Sequence, residues 1–348
     1  MRILAIETSC DESACSVVED GQKVLSNVIA SQIDIHALTG GVVPEVAARE
    51  HLVHTLPVVY QALNDADCDW SGIDAIAVTK GPGLVSSLII GTETASTIAY
   101  VEDKPLIPVN HIVGHLYSNW LGRGKNEIQF PVLVLTVSGG HNELVLMRGH
   151  GDFEVLGATL DDAAGEAFDK VARILGLGYP GGPVISKLAA DGDKAAFNFP
   201  RVYLEKGSLD FSFSGLKTAV INTVKNFANE NGIENIGELS EEFKSNVAAS
   251  FQESVVEVLA DKILIALEKF PEVGEVHLAG GVSANLRLRH KIKEKLPSTI
   301  QFRYPEDLTF CTDNAAMIAA AAYFLYNVEP EGFNKIRNVV PRSDLTFL

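Results

Sequence analysis

Two histidines one helical turn apart, in His111-Ile112-Val113-Gly114-His115, are the side chains here best spaced to close on an ion. Residues at i and i+4 of a helix share one face, at a separation a metal can bridge. A pair of surface or core histidines is the plain alternative. A third donor stands in Phe310-Cys311-Thr312-Asp313-Asn314, where Asp313 supplies a carboxylate. Two imidazoles and one carboxylate leave coordination positions open, as a catalytic metal requires. Cys311 is a weaker donor, more simply read as a small buried hydrophobe. The residue after His111 is Ile112, so the general base of a His-Glu-x-x-His zinc protease is missing.

Three glycine turns offer main-chain N–H groups that no side chain blocks, the surface a phosphate needs: Ser138-Gly139-Gly140, Gly181-Gly182, and Gly280-Gly281 opening a helix. Any one of them alone could be an ordinary turn. Asp11-Glu12 forms an acidic turn, either a solvated loop or a pair of carboxylates for metal–phosphate chemistry or proton transfer. Asp169 lies one helical turn beyond Gly165, where it could reach ribose hydroxyls.

These residues need a scaffold, and the chain supplies it twice. An apolar run at residues 3–6, a polar turn at 7–12 and a second apolar run at 14–18 read as strand, turn, strand. The same form recurs from Pro131, as VLVLTV, then Ser138-Gly139-Gly140-His141-Asn142, then ELVLM. Helical patterns follow at about 44–63 and 165–175. Each half then has a strand ending in a glycine turn, IDAIAVTKGPG or EVHLAGGVSAN, a helix, a short strand and a helix bearing candidate ligands. Two duplicated α/β domains around a central nucleotide cleft describe the actin, heat-shock ATPase and sugar-kinase-like fold. A doubly wound dinucleotide fold is disfavoured, because no GxGxxG follows the first strand. The expected boundaries are 1–130, 131–325 and a tail at 326–348 that packs back on the first half. A helical insert at about 180–270 carries an amphipathic helix with Ser240 as its N-cap.

The 348 residues carry 28 basic and 45 acidic side chains, a formal charge of −17, which repels nucleic acid at long range. RNA must therefore meet a local basic patch or be delivered by a partner. The densest such stretch is Arg287, Arg289, His290, Lys291, Lys293 and Lys295, with a solvated helix face as the alternative reading. The four cysteines show no CxxC pairing, and no apolar run reaches membrane-spanning length. A cytoplasmic protein with no membrane partner is expected.

The motifs taken together resemble the TsaD family of tRNA N6-adenosine threonylcarbamoyltransferases, once classed as O-sialoglycoprotein endopeptidases. The resemblance spans nearly the whole chain, through IETSCDES, GGVVPEVAAREH, KGPGLVSSLIIG, NHIVGH, TVSGGHNEL, LDDAAGEAFDKVA, GLGYPGGP, LDFSFSGLKTA, AGGVSANLRLR and FCTDNAAMIA in order. It implies that His111, His115 and Asp313 hold one divalent metal, iron or else zinc. It further implies that Thr136, Val137, Ser138, Gly139 and Gly140 line the site of the adenylate and its threonylcarbamoyl group. Asp169, Gly182 and Asn285 would bind the adenosine end. Ser186 stands where many members have Asp, and Asn110 where many have His. The implied partners are tRNA, threonylcarbamoyl-AMP from a separate synthase, a paralogous dimerisation subunit and a small ATPase. An ATPase or small-molecule kinase of the same fold is the rival reading, and it leaves the His-His-Asp set without a purpose.

Overall fold

Unbroken apolar runs become central strands, because a strand covered on both faces has no solvent side to mark with polar residues. In the computed structural model, which describes residues 1–124, 127–334 and 336–346, this happens once in each of two units.

In the first unit, β1 (Arg2–Glu7) is the middle strand of a five-stranded sheet. It pairs antiparallel with β2 (Glu12–Glu19), Ile3 opposite Val18, and β2 pairs antiparallel with β3 (Lys23–Ser31). The helices α1 (Ile33–Ala37) and α2 (Pro44–Asp65) follow. β4 (Ala75–Gly81) runs parallel to β1, α3 (Val85–Val101) crosses over, and β5 (Leu106–Asn110) runs parallel to β4. The chain then turns into α4 (His111–Tyr117). Leu4, Ile6, Val17, Val59, Ile76 and Leu106 form the core beneath α2 and α3.

The second unit repeats the plan with β6 (Val132–Val137), β7 (Asn142–Gly149), β8 (Asp152–Ala158) and α5 (Ala164–Ile174). An insert of α6 (Gly181–Ala189), α7 (Ser214–Glu230) and α8 (Glu241–Lys269) follows. β9 (Glu275–Ala279), α9 (Leu286–Lys295) and β10 (Gln301–Arg303) complete it, with β9 parallel to β6. The sheet orders are β3-β2-β1-β4-β5 and β10-β9-β6-β7-β8. Matched strand for strand, they are the same topology.

Two expectations need correction. The second half does not run from 131 to 325. Tyr304–Leu348, which includes α10 (Ala315–Val328) and α11 (Pro330–Phe333), and the hairpin tip Met147–Phe153 belong to the first unit. The cause is packing: α10 is buried continuously from Ala315 to Ala322, against α4, β1 and β2. The hairpin tip packs His150 against a cluster of rings, with its centroid 4.2 Å from Phe324 and 5.6 Å from Tyr117. Of the 326–348 tail, Val339 joins the core and the Arg342 amide donates to the Lys80 carbonyl at 2.8 Å. Lys335, Phe347 and Leu348 lie outside the described residues.

The second correction concerns α8. Ser240 does cap it, accepting from the Phe243 amide at 3.2 Å. The helix is not amphipathic, however, because it is buried on nearly every side from Phe243 to Ile263. Its polar residues Gln252, Glu253 and Lys262 face other parts of the second unit rather than water.

Candidate active site

The metal-ligand candidates converge within the first unit. Asn110 ends β5 and caps α4, its Oδ1 accepting from the amides of Ile112 at 2.8 Å and Val113 at 3.4 Å. The first two helical turns therefore start at a fixed angle, and His111 and His115 fall on one face with ring centroids 4.8 Å apart. Gly114, between them, lets α10 come close, since a Cβ there would lie 2.6 Å from Ile318 Cδ1. That approach brings Asp313 in, just before Asn314, which caps α10 through the Met317 amide at 3.0 Å. Asp313 Oδ1 is 3.2 Å from His115 Nε2 and 3.5 Å from His111 Nε2. The donor atoms of the three residues all lie within 4.8 Å of one another.

A metal suits this donor set. Both ring nitrogens of the fully buried His115 lack a hydrogen bond, although its Nε2 is near Asp313. A buried imidazole that makes no hydrogen bond is costly unless something else satisfies it. His111 differs, because its Nδ1 is 3.2 Å from Glu7 Oε2 and 3.1 Å from Ser9 Oγ. Burial disfavours the His111 imidazolium, but the carboxylates of Asp313 and Glu7 outweigh it and raise the pKa to about 9. An ion taking His111 Nε2 must displace that proton. Cys311 stays apart from the group; it is buried, with Sγ 3.9 Å from the Asp307 carbonyl.

Asp11 and Glu12 lie in the same unit, Asp11 in the turn between β1 and β2 and Glu12 at the start of β2. Burial, and then the charge of Asp313, raises the Asp11 pKa above the usual carboxylate value. Burial and then Asp11 push Glu12 up to about 8. Glu12 Oε1 accepts from Ser31 Oγ at 2.9 Å, while Oε2 is buried without a hydrogen bond. His51 on α2 holds the turn: its Nε2 is 2.9 Å from the Cys10 carbonyl and its Nδ1 2.7 Å from Ser13 Oγ. Sequence reasoning passed over both His51 and Glu7. The signal for Glu7 was a carboxylate directly after the apolar run 3–6, and for His51 a histidine in the buried stripe of α2.

The glycine turns gather in the second unit and divide into two kinds. At Gly139, Gly140, Gly182 and Gly281 an added Cβ would meet no atom within 4 Å. At Gly165 it would lie 2.5 Å from the Ser138 carbonyl, at Gly181 2.6 Å from Asp169 Cα, and at Gly280 2.5 Å from the Val137 carbonyl. The first kind leaves main chain open, and the second brings backbones together. Ser138 and Gly139 accept from the amides of Gly165 at 3.2 Å and Glu166 at 2.9 Å, which locks the 138–140 turn onto the start of α5.

The remaining candidates sit around these turns. Asp169 Oδ1 accepts from the Gly181 amide at 2.7 Å and so fixes the start of α6 beside Gly182. Asn285 caps α9 through the Leu288 amide and donates from Nδ2 to Ser186 Oγ at 3.0 Å and Gln252 Oε1 at 2.8 Å. Gln252 is a partner the sequence did not reveal. Thr136 and Val137 are fully buried, and Thr136 Oγ1 has no hydrogen-bond partner.

The basic stretch on α9 is not an open patch. Arg287 grips Glu253 with two bonds at 2.7 and 2.8 Å, and Lys291 Nζ is 2.6 Å from Glu253. Lys295 pairs with Asp261, and Arg289 Nε donates to the Ser283 carbonyl at 2.6 Å. The three paired cations, spaced i, i+4, i+8, meet the α8 carboxylates Glu253, Glu257 and Asp261 at the same spacing. Lys293 and His290 remain exposed.

Two units of one topology, each a sheet in the order described and flanked by helices, define a protein of the actin, heat-shock ATPase and sugar-kinase fold class. Solved structures bear this out. HypF from T. kodakarensis matches with a TM-score of 0.63 at 15% identity, over 97% of this chain and 49% of that one. The activator of the 2-hydroxyisocaproyl-CoA dehydratase from Clostridium difficile, solved with bound ADPNP, matches with a TM-score of 0.52 at 13% identity, over 97% and 99%. Within that class the sequence is more specific. The model of the TsaD family, described as tRNA N6-adenosine threonylcarbamoyltransferase, matches residues 23–320. Relatives with that description include one from Thermomicrobium roseum, 52% identical over 93% of this chain and 92% of its own. Another, from Bacillus cereus, is 52% identical over 93% and 91%. The chain belongs to the tRNA N6-adenosine threonylcarbamoyltransferase family.

Proposed function

We propose that the chain transfers a threonylcarbamoyl group from threonylcarbamoyl-AMP to N6 of the adenosine beside the anticodon, in tRNAs reading codons that begin with A. The exocyclic amine attacks the carbamoyl carbon, the bond from that carbon to the phosphate oxygen breaks, and AMP leaves. The observation that carries this over a kinase or ATPase of the same fold is the clustering of His111, His115 and Asp313. A phosphate-transfer enzyme needs the open glycine turns but has no use for this donor set.

The residues divide the work. His111, His115 and Asp313 would hold one divalent ion, iron or else zinc, which when bound orients the donor and polarises its carbonyl. The open main chain at Gly139 and Gly140 suits the phosphate of the adenylate and the negative charge that grows on it as the bond breaks. Gly182, Asp169, Ser186 and Asn285 suit its adenosine end. Asp11 or Glu12 accepts the amine proton, and Glu12, with a pKa of about 8, does so from the ionised minority present at neutral pH.

Partners follow from charge and surface. An acidic chain needs help to hold a polyanion, which fits a complex with a paralogous dimerisation subunit and a small ATPase, and a separate synthase to make the adenylate. Leu52, Leu56 and Tyr60 on α2 and Val85, Ile89 and Tyr100 on α3 are exposed apolar side chains on two helices that pack together. Such a surface is expected to dock a protein rather than stand in water. Among the described residues no helix is long and apolar enough to cross a membrane, and a cytoplasmic site of action is part of the proposal. Threonine transfer to tRNA, ATP hydrolysis and peptide cleavage, assayed side by side, test the reading. Transfer alone is expected, and nucleotide hydrolysis without transfer would favour the kinase-like rival.

A further inference from the structure

Glu7 is a fully buried carboxylate at the end of β1, paired with His111. Both of its oxygens accept hydrogen bonds. Oε1 accepts from the Ser9 amide at 2.6 Å, and Oε2 accepts from the hydroxyl of Thr79, a buried residue of β4. Oε2 also lies 3.2 Å from His111 Nδ1. Glu7 is not one of the three residues whose donor atoms cluster.

We propose that Glu7 is the positioning residue of the metal site, fixing the His111 ring with Nδ1–H directed at its carboxylate and Nε2 presented to the ion. This rests on the reading of His111, His115 and Asp313 as metal ligands. Three observations carry it. First, the three donors around Glu7 come from different elements, the β1–β2 turn, β4 and α4, so the carboxylate ties the ligand helix to the sheet. Second, a carboxylate has only acceptors to offer, so the ring nitrogen facing it must carry the proton. Ser9 Oγ, 3.1 Å from the same nitrogen, can turn to donate or accept and dictates neither tautomer. Third, the two histidines differ: His115 Nδ1 is buried without any hydrogen-bond partner, so only His111 is oriented in this way.

A glutamine at position 7 could not satisfy the same three donors. Its amide nitrogen would face the Ser9 amide, or else the Thr79 hydroxyl and His111, and in the second case it would favour the tautomer whose Nε2 carries the proton.

The test uses the full-length chain and Zn2+, which is diamagnetic. In the wild-type protein, long-range 1H–15N spectra of 15N-histidine-labelled material should show His111 protonated at Nδ1 with Zn2+ on Nε2. Competition with a chromophoric chelator should show Glu7→Gln binding Zn2+ roughly 10–100-fold more weakly than wild type, while AMP affinity, a property of the second unit, is unchanged. Zn2+ on Nδ1 of His111, or equal Zn2+ affinity in a folded Glu7→Gln protein, would overturn the positioning role alone. A folded wild-type chain that binds no Zn2+ at all would overturn the metal reading and this inference with it. The wild-type spectrum decides the matter even if the variant does not fold.

Discussion

Glycine is usually read as a single kind of signal, yet the glycines of the second unit act in two ways. Gly139 does not adopt a left-handed φ, and an added side chain there meets nothing within 4 Å. A branched residue at Gly139 therefore does not violate the backbone; it fills the space reserved for a ligand. Gly139→Val is expected to keep the melting temperature of the parent and to lose AMP binding by at least tenfold, measured by calorimetry. Gly280 has φ +83° and lies against the Val137 carbonyl. Gly280→Ala should cost about 1–3 kcal/mol or more of stability, visible as a lowered melting temperature. A Gly139→Val protein that binds AMP normally would reduce the 138–140 turn to a hairpin. For the metal, His111→Ala or Asp313→Ala should remove the ion and nearly all transfer while the fold persists, because two ligands hold an open site poorly. Metal content by mass spectrometry, with circular dichroism beside it, checks this. The grouping of His111, His115 and Asp313 was legible from spacing and repeat. Glu7, His51 and Gln252 were not, because each acts on a residue far away in sequence, and no local spacing encodes that.

At the level of elements, β1, β2, β6 and β7 follow directly from apolar runs broken by polar turns, and the caps at Asn110, Ser240 and Asn314 sit where short polar residues precede helices. The helices α8 and α9 were harder. Read alone, α9 is a basic helix and α8 a mixed one. Only when packed do Arg287, Lys291 and Lys295 meet Glu253, Glu257 and Asp261. The matching i, i+4, i+8 spacing was present in both segments, but sequence does not say that they pair. Burial favours the neutral acid of Glu253, but hydrogen bonds from Arg287 and Lys291 prevail and hold its pKa at about 2. A carboxylate held below its unfolded value contributes stability above that value and loses it as the pH falls. Glu253→Gln should therefore lower the melting temperature at pH 7, and its deficit against wild type should shrink between about pH 4.5 and pH 2. A deficit constant across that range would mean that the α8–α9 ladder contributes no net stability through charge.

At the scale of the whole chain, the repeat predicted two sheets of one topology, and the strand orders agree. The boundary was misplaced because α10, late in sequence, packs on β1 and β2 at the start. Contacts between chain ends leave no trace in local composition. The charge of −17 has a consequence for RNA. With most cations of α9 already paired, the isolated chain should bind tRNA weakly, through few phosphate contacts. Partner subunits should restore affinity. Reversing exposed Lys293 to Glu should change the salt slope by at most about one contact. Filter binding across a salt series, alone and with partners, measures both; tight and salt-resistant binding by the lone chain would contradict the partner requirement.

Transfer from an adenylate to tRNA yields two products that can be followed together. The chain, with its partner subunits and metal, is given threonylcarbamoyl-AMP and a tRNA with adenosine beside the anticodon. Released AMP and the modified nucleoside are then quantified by mass spectrometry over a single time course. The two should appear in equal amounts, the nucleoside should gain one threonylcarbamoyl group on N6, and the Asp313→Ala chain should produce neither. AMP formed without modified nucleoside, or full transfer by the metal-free Asp313→Ala chain, would contradict the proposed reaction.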